Sequence, residues 1–215
     1  MATFRDRVDA GRALAERLRA YAGRPDVVVL ALPRGGVPVG FEVAEALGAP
    51  LDVLVVRKLG LPGHEELAMG AIAAGGTIVV NDEVVRLSGV PAELLRRQAA
   101  AGQAELARCE QLWRGDRPWP QITGRLVILV DDGLATGATM RAALAALRTL
   151  EPAGIVVAVP TAPASACERL AGEADVVICA ANPVPFVAVG QSYDVFDQTS
   201  DEQVRDLLAR AATLN

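Results

Sequence analysis

The sequence predicts an α/β fold: a doubly wound, mainly parallel five-stranded sheet with flanking helices and a small hood and insertion. Two observations carry that prediction. Five short β-branched runs, at 27–32, 51–56, 126–130, 155–160 and 176–179, alternate with helical patterns at 5–21, 38–47, 138–150, 163–171 and 200–212. Hydrophobic residues make up 52% of the chain and aromatic residues only 4%, an aliphatic composition suited to strands covered by helices on both faces. At 215 residues the chain fits one domain, 1–215, with an insertion at about 65–123 and a C-terminal hood segment at about 181–215.

In such a sheet, ligands sit outside the C-terminal ends of the strands, so the residues that follow each run matter most. The first run leads into Leu32-Pro33-Arg34-Gly35-Gly36. Two glycines let the backbone come close to a ligand, and Arg34 can bring a fork of donors to phosphate oxygens. The alternative is a helix-entry turn with a solvated arginine. The second run ends in Arg57 and Lys58 and passes into a glycine-containing stretch, 59–66. Two cations there suit a strongly anionic group, and Gly60, Pro62 and Gly63 suggest a loop that orders over substrate. His64, the only histidine, reads as a solvent-facing residue of that loop, and Glu65 or Glu66 as a source of base from it.

The insertion is expected to hold a hairpin, 69–73 with 77–80 across Gly75-Gly76. A polar helix at 91–113 and a Pro/Trp-rich turn at 114–120 follow. The helix either pads a surface or packs against a partner subunit, as in a homodimer.

The third run opens the most informative stretch, LVILVDDGLATGATM at 126–140. Four apolar residues run into Asp131 and Asp132, and a loop of small residues leads into the next helix. Backbone N–H groups at a helix N-terminus favour an anion, most simply a phosphate. Two carboxylates would repel that phosphate, so they should serve a group that only donates hydrogen bonds, such as a sugar diol. Phosphate beside ribose is the ligand suggested. A Walker A loop would need a lysine where Ala138 stands, and no strand-to-helix turn carries Gly-x-Gly-x-x-Gly.

Other classes are excluded by composition. Net charge is −5 with no dense basic run, which argues against nucleic acid. No apolar stretch reaches the ~18 residues of a membrane span. The N-terminal stretch lacks an apolar signal core, so a cytoplasmic location is expected. Three scattered cysteines, Cys109, Cys167 and Cys179, fit neither a disulfide framework nor a metal cluster.

VILVDDGLATGAT resembles the phosphoribosylpyrophosphate (PRPP) motif of type I phosphoribosyltransferases. The resemblance implies that Asp131 and Asp132 take the ribose hydroxyls, and that Ala135, Thr136, Gly137, Ala138 and Thr139 wrap the 5′-phosphate. Pro33–Gly36 resembles the family's pyrophosphate loop, placing Arg34, Gly35 and Gly36, with Arg57 and Lys58, on the leaving group. Mg²⁺ is implied as cofactor, bridging pyrophosphate and ribose largely through substrate oxygens and waters, with Asp131 and Asp132 touching its outer shell. The implied reaction transfers ribose 5-phosphate from PRPP to a nucleobase-like acceptor, with Asp131, Asp132, Arg34 and Lys58 as the catalytic set. Where the hypoxanthine–guanine branch has an aspartate, this chain has Ala135. The set of Phe4–Arg7, Pro33–Gly36, Val56–Lys58, Asp131–Gly133 and Ala188–Tyr193 resembles a phosphoribosyltransferase group, without naming a base. Phe186 and Tyr193 either stack on a base or anchor the C-terminal helix; Asn182 and Gln191 either read a base edge or cap a turn. The reading from another class is a regulatory protein that binds PRPP or a nucleotide without turnover.

Overall fold

The computed structural model describes residues 3–73 and 78–214, apart from the side chains of 65–68 and 82. Five strands build its main sheet: β1 (Val27–Ala31), β2 (Leu51–Val53), β6 (Leu126–Val130), β7 (Gly154–Thr161) and β8 (Val176–Ala181). Their order is β2-β1-β6-β7-β8, and each adjacent pair is parallel. β1 and β7 are buried along their whole length, as the uninterrupted aliphatic runs require when helices cover both faces.

Two apolar layers result. On one face α1 (Arg7–Arg17), α2 (Gly36–Leu47) and α7 (Asp201–Ala211) pack with alternate residues of β1 and β6; on the other lie α5 (Ala138–Arg148) and α6 (Ala164–Leu170). α1 begins at Asp6, whose carboxylate accepts from the Asp9 N–H, and α7 at Ser200 in a capping box with Gln203.

The second expected strand, 51–56, divides. β2 ends at Val53, and a separate antiparallel sheet follows from β3 (Val56–Leu61), β4 (His64–Ala73) and β5 (Ile78–Val80), in that order. Residues 59–66, read as a mobile loop, are therefore the end of one strand, a tight turn and the start of the next. Pairing of Leu61 with His64 leaves only Pro62-Gly63 to reverse the chain, and Gly63 takes φ +79° without the Cβ clash another residue would meet. The departure from the main sheet thus begins at Val56 rather than at residue 65. β4 and β5 pair as expected, Gly70 opposite Val80; the Gly75-Gly76 turn lies outside the described residues. A helix not expected from sequence, α3 (Asp82–Ser88), is capped by the Asn81 side chain.

The polar helix forms as α4 (Ala92–Arg114) and packs against β3 and α7. Its last residue, Arg114, lays a two-pronged bond on Asp52 of β2, at 2.8 Å for each prong, with both side chains nearly buried. The same guanidinium lies over the Trp119 ring. The cysteine expectation is corrected: Cys167 and Cys179 are in disulfide contact. α6 connects β7 to β8 and folds back on that strand, bringing together cysteines 12 positions apart; Cys109 is free.

Candidate active site

β6 delivers Asp131 and Asp132 to the C-terminal edge of the sheet, between the ends of β1 and β7. Asp131 Oδ1 accepts from the Asp132 N–H at 2.8 Å, which orients the first carboxylate within its own loop. The Pro33–Gly36 loop presses onto the same place. A Cβ on Gly35 would overlap the Asp132 carboxylate, and one on Gly36 would lie 2.9 Å from both Asp131 Cα and the Val130 carbonyl oxygen. Both glycines are thus required by close approach, and the Pro33–Arg34 peptide is cis.

On the other flank, Gly133 lies beneath Val189 and Thr161, where a Cβ would lie 2.5 Å from Val189 Cγ1. Thr161 and Ser192 share a buried hydroxyl–hydroxyl bond of 2.7 Å. The segment after β8 therefore roofs the loop as a hood. Sequence reasoning gave Arg7 no role, yet its Nε donates to Asp132 Oδ2 at 2.8 Å. The Tyr193 hydroxyl donates to the Asp132 carbonyl oxygen. The two residues lie 125 positions apart in the first case, so no local pattern could have paired them.

Burial, then the neighbouring Asp132 charge, raises the Asp131 carboxyl well above the ordinary carboxylate range. Burial raises Asp132 as well, against the opposing pull of Arg7. Burial also pushes the Tyr193 hydroxyl upward, keeping it a neutral donor.

The phosphate-loop candidates follow directly. Ala135, Thr136 and Thr139 are exposed, Ala138 half-buried, and Gly137 sits at φ +77° as the N-cap of α5. Thr136 Oγ1 accepts from the Ala138 N–H at 3.3 Å. The cations divide. Arg34 stands 3.6 Å from Asp201, which also accepts from the Trp113 indole at 2.8 Å. Arg57 lines a cavity of about 200 Å³ with Pro33, Thr139, Glu105, Cys109 and Trp113 among its walls. Lys58 is next in the same strand, so it faces the opposite side of the hairpin. The Arg108 guanidinium beside Glu105 brings that carboxyl down to about 2, and burial raises the Cys109 thiol.

His64 is exposed and lines a separate cavity of about 670 Å³ with Glu83, Leu87 and Leu94 among its walls. The side chains of Glu65 and Glu66 lie outside the described residues. Tyr193 resolves as an anchor: it is buried, stacks on Phe196 with 4.8 Å between centroids, and bridges to Phe4. Asn182 donates to the Ala162 carbonyl, and Gln191 braces Pro185 and Val187, so both side chains hold turns.

Two curated relatives from Mycobacterium tuberculosis, MT0597 (strain CDC 1551 / Oshkosh) and Rv0571c (strain ATCC 25618 / H37Rv), carry names that give a phosphoribosyl transferase assignment as provisional. Each is 50% identical over 211 residues, 98% of this chain and 47% of the relative. The chain spans about half the length of the curated relatives it matches. Among solved structures, TT1426 from Thermus thermophilus is 44% identical with a TM-score of 0.89, covering 98% of this chain and 99% of that one. The model of the phosphoribosyl transferase domain matches residues 4–194, which take in the acid pair and both loops that flank it. This chain belongs to the phosphoribosyl transferase domain family.

Proposed function

We propose that this chain transfers the ribose 5-phosphate of PRPP to a nucleobase-like acceptor and releases pyrophosphate. The observation that carries the reading is the packing of the Gly35-Gly36 backbone against Asp131 and Asp132, beside a small-residue loop that opens α5. One crevice thereby offers acceptors to a diol, main-chain donors to a phosphate and, from Arg34 and Arg57, positive charge to a leaving group.

In the reaction the C1′–O bond to pyrophosphate breaks, a C1′–N bond forms, and the attacking ring nitrogen gives up its proton. Little covalent chemistry falls to the protein, so positioning and charge stabilisation dominate. Asp131 and Asp132 orient the diol. The Ala135–Thr139 loop holds the 5′-phosphate, and Arg34 and Arg57 stabilise the departing pyrophosphate; Lys58, expected with them from sequence, faces the other side of the hairpin.

Among the described residues no cluster of three His, Cys, Asp or Glu side chains could hold a metal ion. Mg²⁺ would be carried by substrate oxygens and waters, with Asp131 and Asp132 the carboxylates nearest to it. When bound, the ion neutralises charge on the pyrophosphate. Among the described residues no helix is long and apolar enough to cross a membrane; a cytoplasmic enzyme of nucleotide salvage is the setting we propose.

The test is a panel of nucleobases incubated with protein, PRPP and Mg²⁺, read by pyrophosphate release. Release with at least one base is expected. Silence across the panel with PRPP still bound would favour a regulatory, non-catalytic protein.

A further inference from the structure

Arg7 leaves the first turn of α1 and ends at the ribose loop. Its Nε and Nη2 both lie 2.8 Å from Asp132 Oδ2, and Nη1 donates to the Asp197 carbonyl oxygen at 2.6 Å. Its Cζ stands 4.0 Å above the Phe196 ring, which stacks on Tyr193. Tyr193 returns a hydrogen bond to the Asp132 main chain. Only 12% of the Arg7 side chain and 15% of the Asp132 side chain are exposed. Four separate contacts thus fix one guanidinium, far more than an exposed ion pair would supply.

The direction of this grip is informative. The glycine loop follows β1 on one side of β6, and the hood covers the β7 side. If pyrophosphate leaves over the glycine loop, the acceptor attacks C1′ from the opposite side, and Arg7 stands with the hood on that flank. On the glycine-loop side, Asp132 meets the backbone of Gly35, which has no side chain to steer it. Both nitrogens of Arg7 converge on Oδ2, so Oδ1 stays available to a sugar hydroxyl.

We infer that Arg7 is the positioning residue of the ribose half of the site: it aims the Asp132 carboxylate from the acceptor flank and joins α1, the acid loop and the hood into one unit. This rests on the ribose reading of the acid pair given above. An acceptor oxygen aimed before the sugar arrives costs no reordering on binding. Arg7 is not a catalytic residue here; it acts through Asp132.

The test is calorimetric titration of Mg-PRPP, ribose 5-phosphate and Mg-pyrophosphate into the wild type, Arg7→Met, Arg7→Lys, Asp132→Asn and the Arg7→Met/Asp132→Asn double variant. Arg7→Met should weaken both ribose ligands by about tenfold or more and leave pyrophosphate within about twofold. Arg7→Lys, which keeps the charge and loses the fork, should recover part of that loss. The double variant should bind ribose ligands no more weakly than Asp132→Asn alone. Should Arg7→Met fail to fold, Arg7→Lys decides by the same selectivity, ribose ligands weakened and pyrophosphate spared. Equal losses for all three ligands, additive losses in the double variant, or wild-type affinity in Arg7→Met would overturn the inference while leaving the ribose reading intact. A wild type that binds no ribose ligand would instead sink that reading, and the inference with it.

Discussion

At the side of the cleft proposed for ribose, Arg7 and Asp132 meet at 2.8 Å with 12% and 15% of their side chains exposed. At the side proposed for the leaving group, Arg34 and Asp201 stand 3.6 Å apart with 35% and 43% exposed. The first pair is held from several directions and sits in little water; the second is a loose surface contact that a multiply charged ligand can outcompete. On the proposed reading, the difference teaches how one cleft would handle two kinds of group. A diol needs acceptors already aimed, whereas a pyrophosphate that must depart needs cations able to come and go.

The largest effect should come from undoing the anchor of α4, which walls the cavity lined by Arg57. Asp52→Ala strands the buried Arg114 guanidinium, and denaturant unfolding should register a loss of about 3–5 kcal/mol. A loss below about 1 kcal/mol would mean that the Asp52–Arg114 pair does not anchor α4.

Next, Arg34→Ala should lower pyrophosphate affinity by roughly 1.5–3 kcal/mol while barely touching a nucleoside monophosphate, both read by calorimetry. Equal losses for the two ligands would remove Arg34 from the leaving-group half.

The acids themselves should respond to different degrees. Because the Asp131 pKa is raised in the folded state, this group's contribution to stability is fully present below the ordinary carboxylate range and is lost as pH rises through the elevated value. Asp131→Asn, which keeps the acceptor for the Asp132 N–H, should therefore raise the melting temperature by roughly 2–4 °C at pH 8 and leave it unchanged at pH 3.5. Asp132 is raised as well, but against the pull of Arg7, so Asp132→Asn, which also costs the Arg7 pair, should raise the melting temperature at pH 8 by less than Asp131→Asn does. An equal or larger rise for Asp132→Asn would erase the asymmetry between the two acids. The smallest effect belongs to Asp201→Asn: half-exposed and loosely paired, it should change stability by less than about 1 kcal/mol and leave pyrophosphate affinity equal or slightly tighter.

The parallel sheet was legible because its signal is local. Uninterrupted runs such as Val27–Ala31 and Val127–Val130 are buried on both faces, and their short length, β-branched content and alternation with helical patterns mark them as covered strands. Hairpin β3-β4 was obscured because Gly60, Pro62 and Gly63 carry the composition of a loop, while a two-residue turn uses the same residues inside a paired structure. In the site, the acids and glycines were visible as a motif, and their mutual packing follows from strand order. Arg7, Phe196 and the Trp113–Asp201–Arg34 chain were not. Each depends on segments that meet only in three dimensions, and no spacing rule links residues 88 or 125 positions apart. The cysteine contact was hidden likewise by the return of α6 onto β8.

The central claim is that Asp131 and Asp132 bind the sugar of PRPP. Calorimetric titration of Mg-PRPP into the wild type and the Asp131→Asn/Asp132→Asn double variant, with cooperative unfolding verified for both, tests it most directly. Saturable binding to the wild type, weakened by about a hundredfold or more in the double variant, is the predicted result. Equal affinity in a folded double variant would contradict the account.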